Sequence, residues 1–509
     1  MLNNKRENMV QKLILLLIIL STTLSLLLAC ISPESNYGDG DGLDTNVSGI
    51  DNNNISADGS AAEPPERIFP NLPEMDFDGF EFRIITSDYL LDTNMPREIG
   101  AEELTGDIMN DAIHRRNSAI EEQFNINIVE LLHNRDDLQT PVRRAILAGD
   151  HSYDLIAGNI RSLGMLSHEG FLHNLRDVPH IDLDKPWYCQ NAIADLSIAN
   201  RVHYVVTELQ ISAKDATWAI LFNKRLHNDL GLDDPYQLVR DGRWTMDRMF
   251  EMATTASVDL NGDGVMDEDD QWGMLGETFN IYALMRGSGT RLIRKDDNDL
   301  PYYAGFTSRD INIFYRAADF LGDPTRSLLS HQLRDSSVFG FNSMFATNRV
   351  LFFFTSLSRV TWHRGMETDF GILPIPKFDE AQEYYSHVVT VWIGSGVGIP
   401  TNLHGADLER SAIILEALSA ESMYTLTPAY FDIQLHTQLL RDEESAEMLD
   451  IIFANRTYSL AQLHDWGGLI GTLTGLLGTE REFASSMERI EGMIERAIER
   501  TIDAYLDLH

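Results

Sequence analysis

Between residues 259 and 270 an oxygen-bearing side chain recurs at nearly every second position: Asp259, Asn261, Asp263, Asp267 and Asp270, with Gly264 among them. A calcium ion needs six to eight hard oxygens around one point. A twelve-residue loop meets that need with ligands at positions 1, 3, 5, 7, 9 and 12 and a glycine turn at position 6. Here the main-chain carbonyl of Val265 falls at position 7 and Asp267 at position 9. Position 12 is Asp270 in place of the usual Glu, and the following Gln271-Trp-Gly-Met-Leu275 reads as a strand, not a second helix. The pattern predicts a structural calcium loop inside a larger domain, and the competing reading is a solvated acidic turn.

Seven tryptophans form a second set, at 187, 218, 244, 272, 362, 392 and 466. Sugars pack their C–H faces on aromatic rings while their hydroxyls bond to carboxylates, amides and guanidinium groups, so tryptophan beside such groups suits a carbohydrate. Trp218 stands next to Lys214 and Asp215. Trp392 adjoins Gly394-Ser-Gly396, and Trp466 adjoins Gly467-Gly468, glycine-rich stretches where backbone can approach a ligand. Trp244 precedes Thr245, a helix cap, and reads as packing; Trp272 goes with the acidic loop.

Enzyme signatures are wanting. His168-Glu169 is followed by His173 at i+5, which on a helix turns the rings about 140° apart, off the common face that a zinc pair requires. Gly394-Ser-Gly396-Val-Gly398 lacks dinucleotide-loop spacing, and neither a Gly-Lys-Ser/Thr phosphate loop nor a G-x-S-x-G elbow is present. Acidic residues are so abundant that a glycosidase carboxylate pair could be drawn almost anywhere, which empties that signal.

The elements that must hold these residues alternate. Glu81–Asp88 reads as a first strand, Asp107–Phe124 as a helix stopped by Asn125, Ile126–Leu131 as a second strand, 141–147 as a helix and Tyr153–Ala157 as a third strand. Alternating strands and helices imply parallel sheets faced by helices, with ligands beyond the carboxyl ends of the strands. Asp88 and Asn159 stand at two such ends and are candidate ligand contacts.

At about 150 residues per domain, 509 residues suggest some three domains or two large lobes. Ordinary apolar (43%) and charged (23%) fractions exclude wholesale disorder and a multi-pass membrane protein. A net charge of −38 argues against nucleic-acid binding. Two cysteines, Cys30 and Cys189, exclude a disulfide scaffold.

Lys5, Arg6 and Lys12 precede a charge-free apolar run, 13–29, as in an export signal. An uncleaved membrane anchor is the alternative, since 17 apolar residues reach the lower limit for a span. Leu27-Leu-Ala-Cys30 resembles the lipobox of bacterial lipoproteins, which implies covalent lipid on Cys30. Cleavage after residue 29 removes three basic residues and one acidic one, so −38 becomes −40. Residues 30–66 are then a lipidated start and a Gly/Asp/Asn/Ser-rich tether, whose coil would reach roughly 30–35 Å.

Thr217-Trp-Ala-Ile-Leu-Phe-Asn-Lys-Arg-Leu226 resembles the crossover strand of the family 1 extracellular solute-binding proteins, the group that includes maltose-binding protein. Pro235–Met246, Asp369–Lys377, Ile399-Pro400 and the helix Arg410–Ala420 resemble later segments of that family in the same order. The resemblance implies an α/β fold of two lobes (type II), a hinge of two or three crossing segments and an interlobe ligand cleft. It places lobe one at 79–207 plus 350–415 and lobe two at 208–349 plus 416–509. The function it implies is capture of a carbohydrate at the extracytoplasmic face of a bacterial membrane and delivery to the permease of an ABC importer, by a lipid-anchored monomer without enzymatic activity. Asp88, Asn159, Asp215, Trp218, Trp392 and Trp466 are the ligand candidates. A binder of peptides or other polar solutes, a glycan sensor and a glycoside hydrolase are the competing readings.

Overall fold

A computed structural model describes residues 67–88, 97–436, 443–479 and 482–508. The apolar leader, Cys30 and the tether lie outside the described residues. Thirteen strands occur among those described: β1 Phe80–Asp88, β2 Ile126–Asn134, β3 Leu155–Asn159, β4 Trp218–Asn223, β5 Trp272–Gly276, β6 Ile293–Lys295, β7 Pro301–Tyr303, β8 Ser327–Leu329, β9 Val350–Ser356, β10 Phe370–Leu373, β11 His387–Val388, β12 Ser395–Gly398 and β13 Arg456–Thr457. They build a four-stranded sheet, β12-β3-β1-β2, and a five-stranded sheet, β10-β4-β9-β5-β8, with β11-β13 and β6-β7 as separate pairs.

In the first sheet β1 runs parallel to both β2 and β3, and β12 returns antiparallel beside β3. The helix after β1, Ile108–Phe124, starts where the Asp107 side chain accepts from the Asn110 N–H. It stops at Asn125, whose left-handed backbone lets the chain turn directly into β2. In the second sheet β9 lies between β4, antiparallel, and β5, parallel. The tight turns and helix caps are therefore local, while sheet membership is set by pairing at long range.

Alternate residues of each strand feed different cores, as the pleat requires. Phe82, Ile84, Leu155 and Ala157 pack with the helix Ala406–Tyr424 on one side of the first sheet. Ala219, Leu221, Leu275 and Phe353 form the core on one side of the second sheet. The opposite faces, Ile85 and Ile156 of one sheet and Ile220, Phe352 and Phe354 of the other, belong to one continuous cluster.

Three short backbone segments carry the chain between the sheets. Thr217 pairs with Val389, and the Thr390 N–H donates to the Ala216 carbonyl at 3.0 Å. His387 and Val388 pair in parallel with Arg456 and Thr457. The crossings expected near 207 and 349 thus fall at Ala216–Thr217 and Val389–Thr390. Residues 350–356 and 370–373, assigned to lobe one by resemblance, are strands of the second sheet, because β9 is flanked on both sides by its strands. Residues 416–424, assigned to lobe two, continue the helix that covers the first sheet.

Candidate functional site

Both sheets present carboxyl ends of strands to these hinge segments. β3 ends at Asn159, directly opposite Ser395, where the crossing segment 389–394 enters β12. β9 ends at Ser356, opposite Trp218, where the crossing segment 216–217 enters β4. The edges at which open α/β sheets bind ligands therefore meet one hinge.

On the first sheet, the Asn159 side chain accepts the Ser162 N–H at 2.7 Å and caps the helix Ile160–His168. That cap fixes the first turn and with it Arg161, whose N–H donates to the Val391 carbonyl at 3.1 Å. The Arg161 guanidinium lies over the Trp392 ring, 3.7 Å from its centroid. Trp392 is 49% exposed, and of the seven tryptophans it alone is exposed. Asp88 ends β1 beside β3 at the same edge, half-buried.

On the second sheet, Glu277 follows β5 and Arg359 follows β9. Burial raises the Glu277 carboxyl pKa, and the Arg359 charge opposes that rise. Phe279, half-buried, packs on Trp218 with ring centroids 5.1 Å apart. Trp218 itself is only 6% exposed, wedged between Phe279 and Phe354, and its buried Nε1 has no hydrogen-bond partner. Trp218, expected from sequence to offer its face to a ligand, is thus covered by its neighbours, whereas Trp392 is exposed.

Two other candidates leave the site. Asp215 is 2% exposed and accepts the Tyr430 hydroxyl at 2.7 Å, so it serves the packing of the helix Leu426–His436 and does not pair with Trp218 for a ligand. Burial pushes its carboxyl up to about 6, against the Tyr430 hydrogen bond and the charges of Arg364 and Lys214. Trp466 is 4% exposed, stacks on His464 and donates Nε1–H to Thr501 Oγ1 at 2.9 Å, which makes it core. Its neighbouring glycines serve a tight connection between short helices, with left-handed backbones at Gly467 and Gly468.

The acidic loop forms a closed turn beneath the Val258–Gln271 pair. Asp259 accepts the N–H groups of Gly262 and Gly264, Asn261 that of Asp263, and Asp263 that of Val265. Buried Asp270 accepts those of Leu260 and Asp267. Gly264 has φ +81°, as the turn position demands, and Trp272 donates its Nε1–H to the Asp267 carbonyl. Among the described residues no group of three His, Cys, Asp or Glu side chains is placed to hold a metal ion.

No protein-family profile matches the sequence, and no curated protein matches it. Solved structures do. An ABC substrate-binding protein from Listeria monocytogenes, in complex with cycloalternan, superposes with a TM-score of 0.54 at 11% identity, covering 83% of this chain and 100% of that one. UspC of M. tuberculosis gives 0.55 at 12% identity, covering 82% and 100%. The cyclic alpha-maltosyl-1,6-maltose binding protein of Arthrobacter globiformis gives 0.54 at 12%, covering 83% and 99%. The fold is that of ABC solute-binding proteins.

Sequence reasoning passed over Arg161, Glu277, Phe279 and Arg359. Glu277 and Arg359 each stand within three residues of a strand's carboxyl end, the signal that singled out Asp88 and Asn159. Reading it there required knowing that β5 and β9 are parallel neighbours.

Proposed function

We propose that this chain is a lipid-anchored, extracytoplasmic carbohydrate-binding protein that hands an oligosaccharide to the permease of an ABC importer. The observation that carries the reading is Trp392, exposed at the carboxyl edge of the first sheet with Arg161 across one face. An indole offers a flat apolar surface to a pyranose ring, while guanidinium and carboxylate groups take its hydroxyls. Glu277 and Arg359 supply such groups from the second sheet, so a ligand touching both edges favours closure of the hinge and shifts the population to the closed form. That the Listeria protein was solved with cycloalternan, and that the Arthrobacter one binds cyclic alpha-maltosyl-1,6-maltose, supports an oligosaccharide as the ligand class.

In this reading the protein makes and breaks no bond, acts as a monomer and releases its ligand intact. Calorimetry of the full chain in detergent against a panel of neutral oligosaccharides tests it, with chromatography of the recovered sugar. Saturable binding with unchanged sugar is expected. Binding of peptides in place of every glycan would assign a peptide receptor, and shortened sugar a hydrolase.

The loop 259–270 is proposed as a structural calcium site. Its support is the alternation of oxygen side chains and the left-handed Gly264. Binding requires the carboxylates to exchange some loop N–H partners for the ion.

A further inference from the structure

We propose that a cavity beside the hinge, lined by Arg286, Arg291 and Arg294, binds a tetrahedral oxyanion, phosphate or sulfate, free or carried on a small organic molecule. The cavity measures about 330 Å³ and lies among the helix Gln190–Leu196, the helix Asn280–Gly287, β6 and the segment Tyr458–Ala461. A second cavity, of about 420 Å³, shares Ala194, Asp195 and Arg291 with it. The pair exceeds what an isolated anion fills and falls within the usual size of a small-molecule site.

The charge at this place runs against the rest of the chain. With 78 acidic residues against 40 basic ones, an arginine has a carboxylate close at hand almost anywhere. Yet none of the three arginines is in an ion pair with a described carboxylate, whereas neighbouring Lys295 has Asp299 at 2.9 Å. Arg286 is only 5% exposed. It donates to the carbonyls of Tyr458 at 3.1 Å and Thr290 at 3.5 Å, and its buried Nε has no hydrogen-bond partner. Arg291 donates to the carbonyls of Arg286 and Thr290 and to Ser386 Oγ. Burial and the Arg286 charge together push the Arg291 guanidinium down to about 9.

A buried charge without a counter-ion is costly, and two adjacent ones add mutual repulsion. Asp195 is the carboxylate that lines this cavity, and it also accepts the Tyr458 N–H at 2.8 Å. One carboxylate against three guanidiniums leaves an excess of two positive charges, which a doubly charged oxyanion cancels. Guanidinium groups hold phosphate and sulfate through paired N–H donors, and the unused Nε of Arg286 is such a donor. None of these residues belongs to the Arg161, Trp392 and Glu277 set, so the inference does not rest on the sugar reading.

The test is isothermal titration of the full chain in detergent, at constant ionic strength, with inorganic phosphate, sulfate, a hexose phosphate and the parent neutral hexose. Binding of phosphate or sulfate at one site per chain supports a free anion as ligand. Binding of the hexose phosphate with neither inorganic ion supports the same anion carried on a small molecule. Arg294→Gln, exposed and able to fold, and Arg291→Gln should each weaken that binding by roughly tenfold or more. No heat from any of the three anions on a chain with an intact melting transition overturns the proposal. So does an affinity unchanged from the parent chain in both variants.

Discussion

Trp392 lies beneath the Arg161 guanidinium, with 3.7 Å between the guanidinium carbon and the ring centroid. Arg161 comes from the helix behind β3, and Trp392 from the segment that crosses to the other sheet. The pair therefore ties the first sheet to the crossing segment. Cation–π contact holds the indole in one orientation while about half of its surface stays exposed.

Trp392→Ala should weaken glycan binding by about 2–4 kcal/mol, the loss typical of a hot-spot aromatic, or roughly 30- to 700-fold. Its melting temperature should stay near the parent's, because a half-exposed ring contributes little to the core. Trp218→Ala should behave oppositely, losing about 3–5 kcal/mol of stability as a core aromatic does. Calorimetry and thermal melts of both variants check this, and an unstable Trp392→Ala chain with parental affinity would remove Trp392 from the site.

His363 is buried among Phe345, Phe353 and Phe370, with ring centroids 5.0, 5.8 and 5.9 Å away, and neither ring nitrogen has a hydrogen-bond partner. Burial, helped by the Arg359 charge, pushes its pKa down to about 4 from 6.5. As pH falls from 6.5 towards 4 the unfolded chain takes up a proton that the folded chain refuses, so this residue makes stability fall with acidity. His363→Phe should remove that contribution. Urea midpoints at pH 7 and pH 5 should show the variant's advantage growing in acid; an unchanged difference would show that His363 does not titrate on unfolding.

Calcium should raise the melting temperature if residues 259–270 hold the ion, because the folded state alone binds it. Asp263→Ala removes a central oxygen and should abolish most of that rise, leaving glycan affinity unaltered. Identical melts with calcium and with chelator would return the loop to a solvated turn, stabilised by its own Asx hydrogen bonds.

Cys30→Ala should abolish lipid labelling and leave the chain unprocessed or released from the membrane fraction. Labelling of the variant equal to that of the parent would overturn attachment through Cys30.

Short-range signals were legible without coordinates. Asn125 as a helix stop, Thr245 as a cap, and strands over 81–88, 126–131 and 153–157 follow from side-chain period and from residues that accept N–H groups or tolerate a left-handed backbone; the observed strands run 80–88, 126–134 and 155–159. The order of motifs from Thr217 onwards carried the two-lobed fold itself. What chain order could not supply was which strands pair: residues 350–373 were misplaced because β9 reaches across more than a hundred residues to β4. Side-chain exposure was equally out of reach. Trp218, Trp392 and Trp466 all sit beside polar or glycine-rich stretches, yet only Trp392 meets solvent, since the other two are covered by Phe279 and Phe354 and by the neighbourhood of His464 and Thr501. Local composition fixes what a side chain can do; only the packing of distant segments decides whether a ligand can reach it.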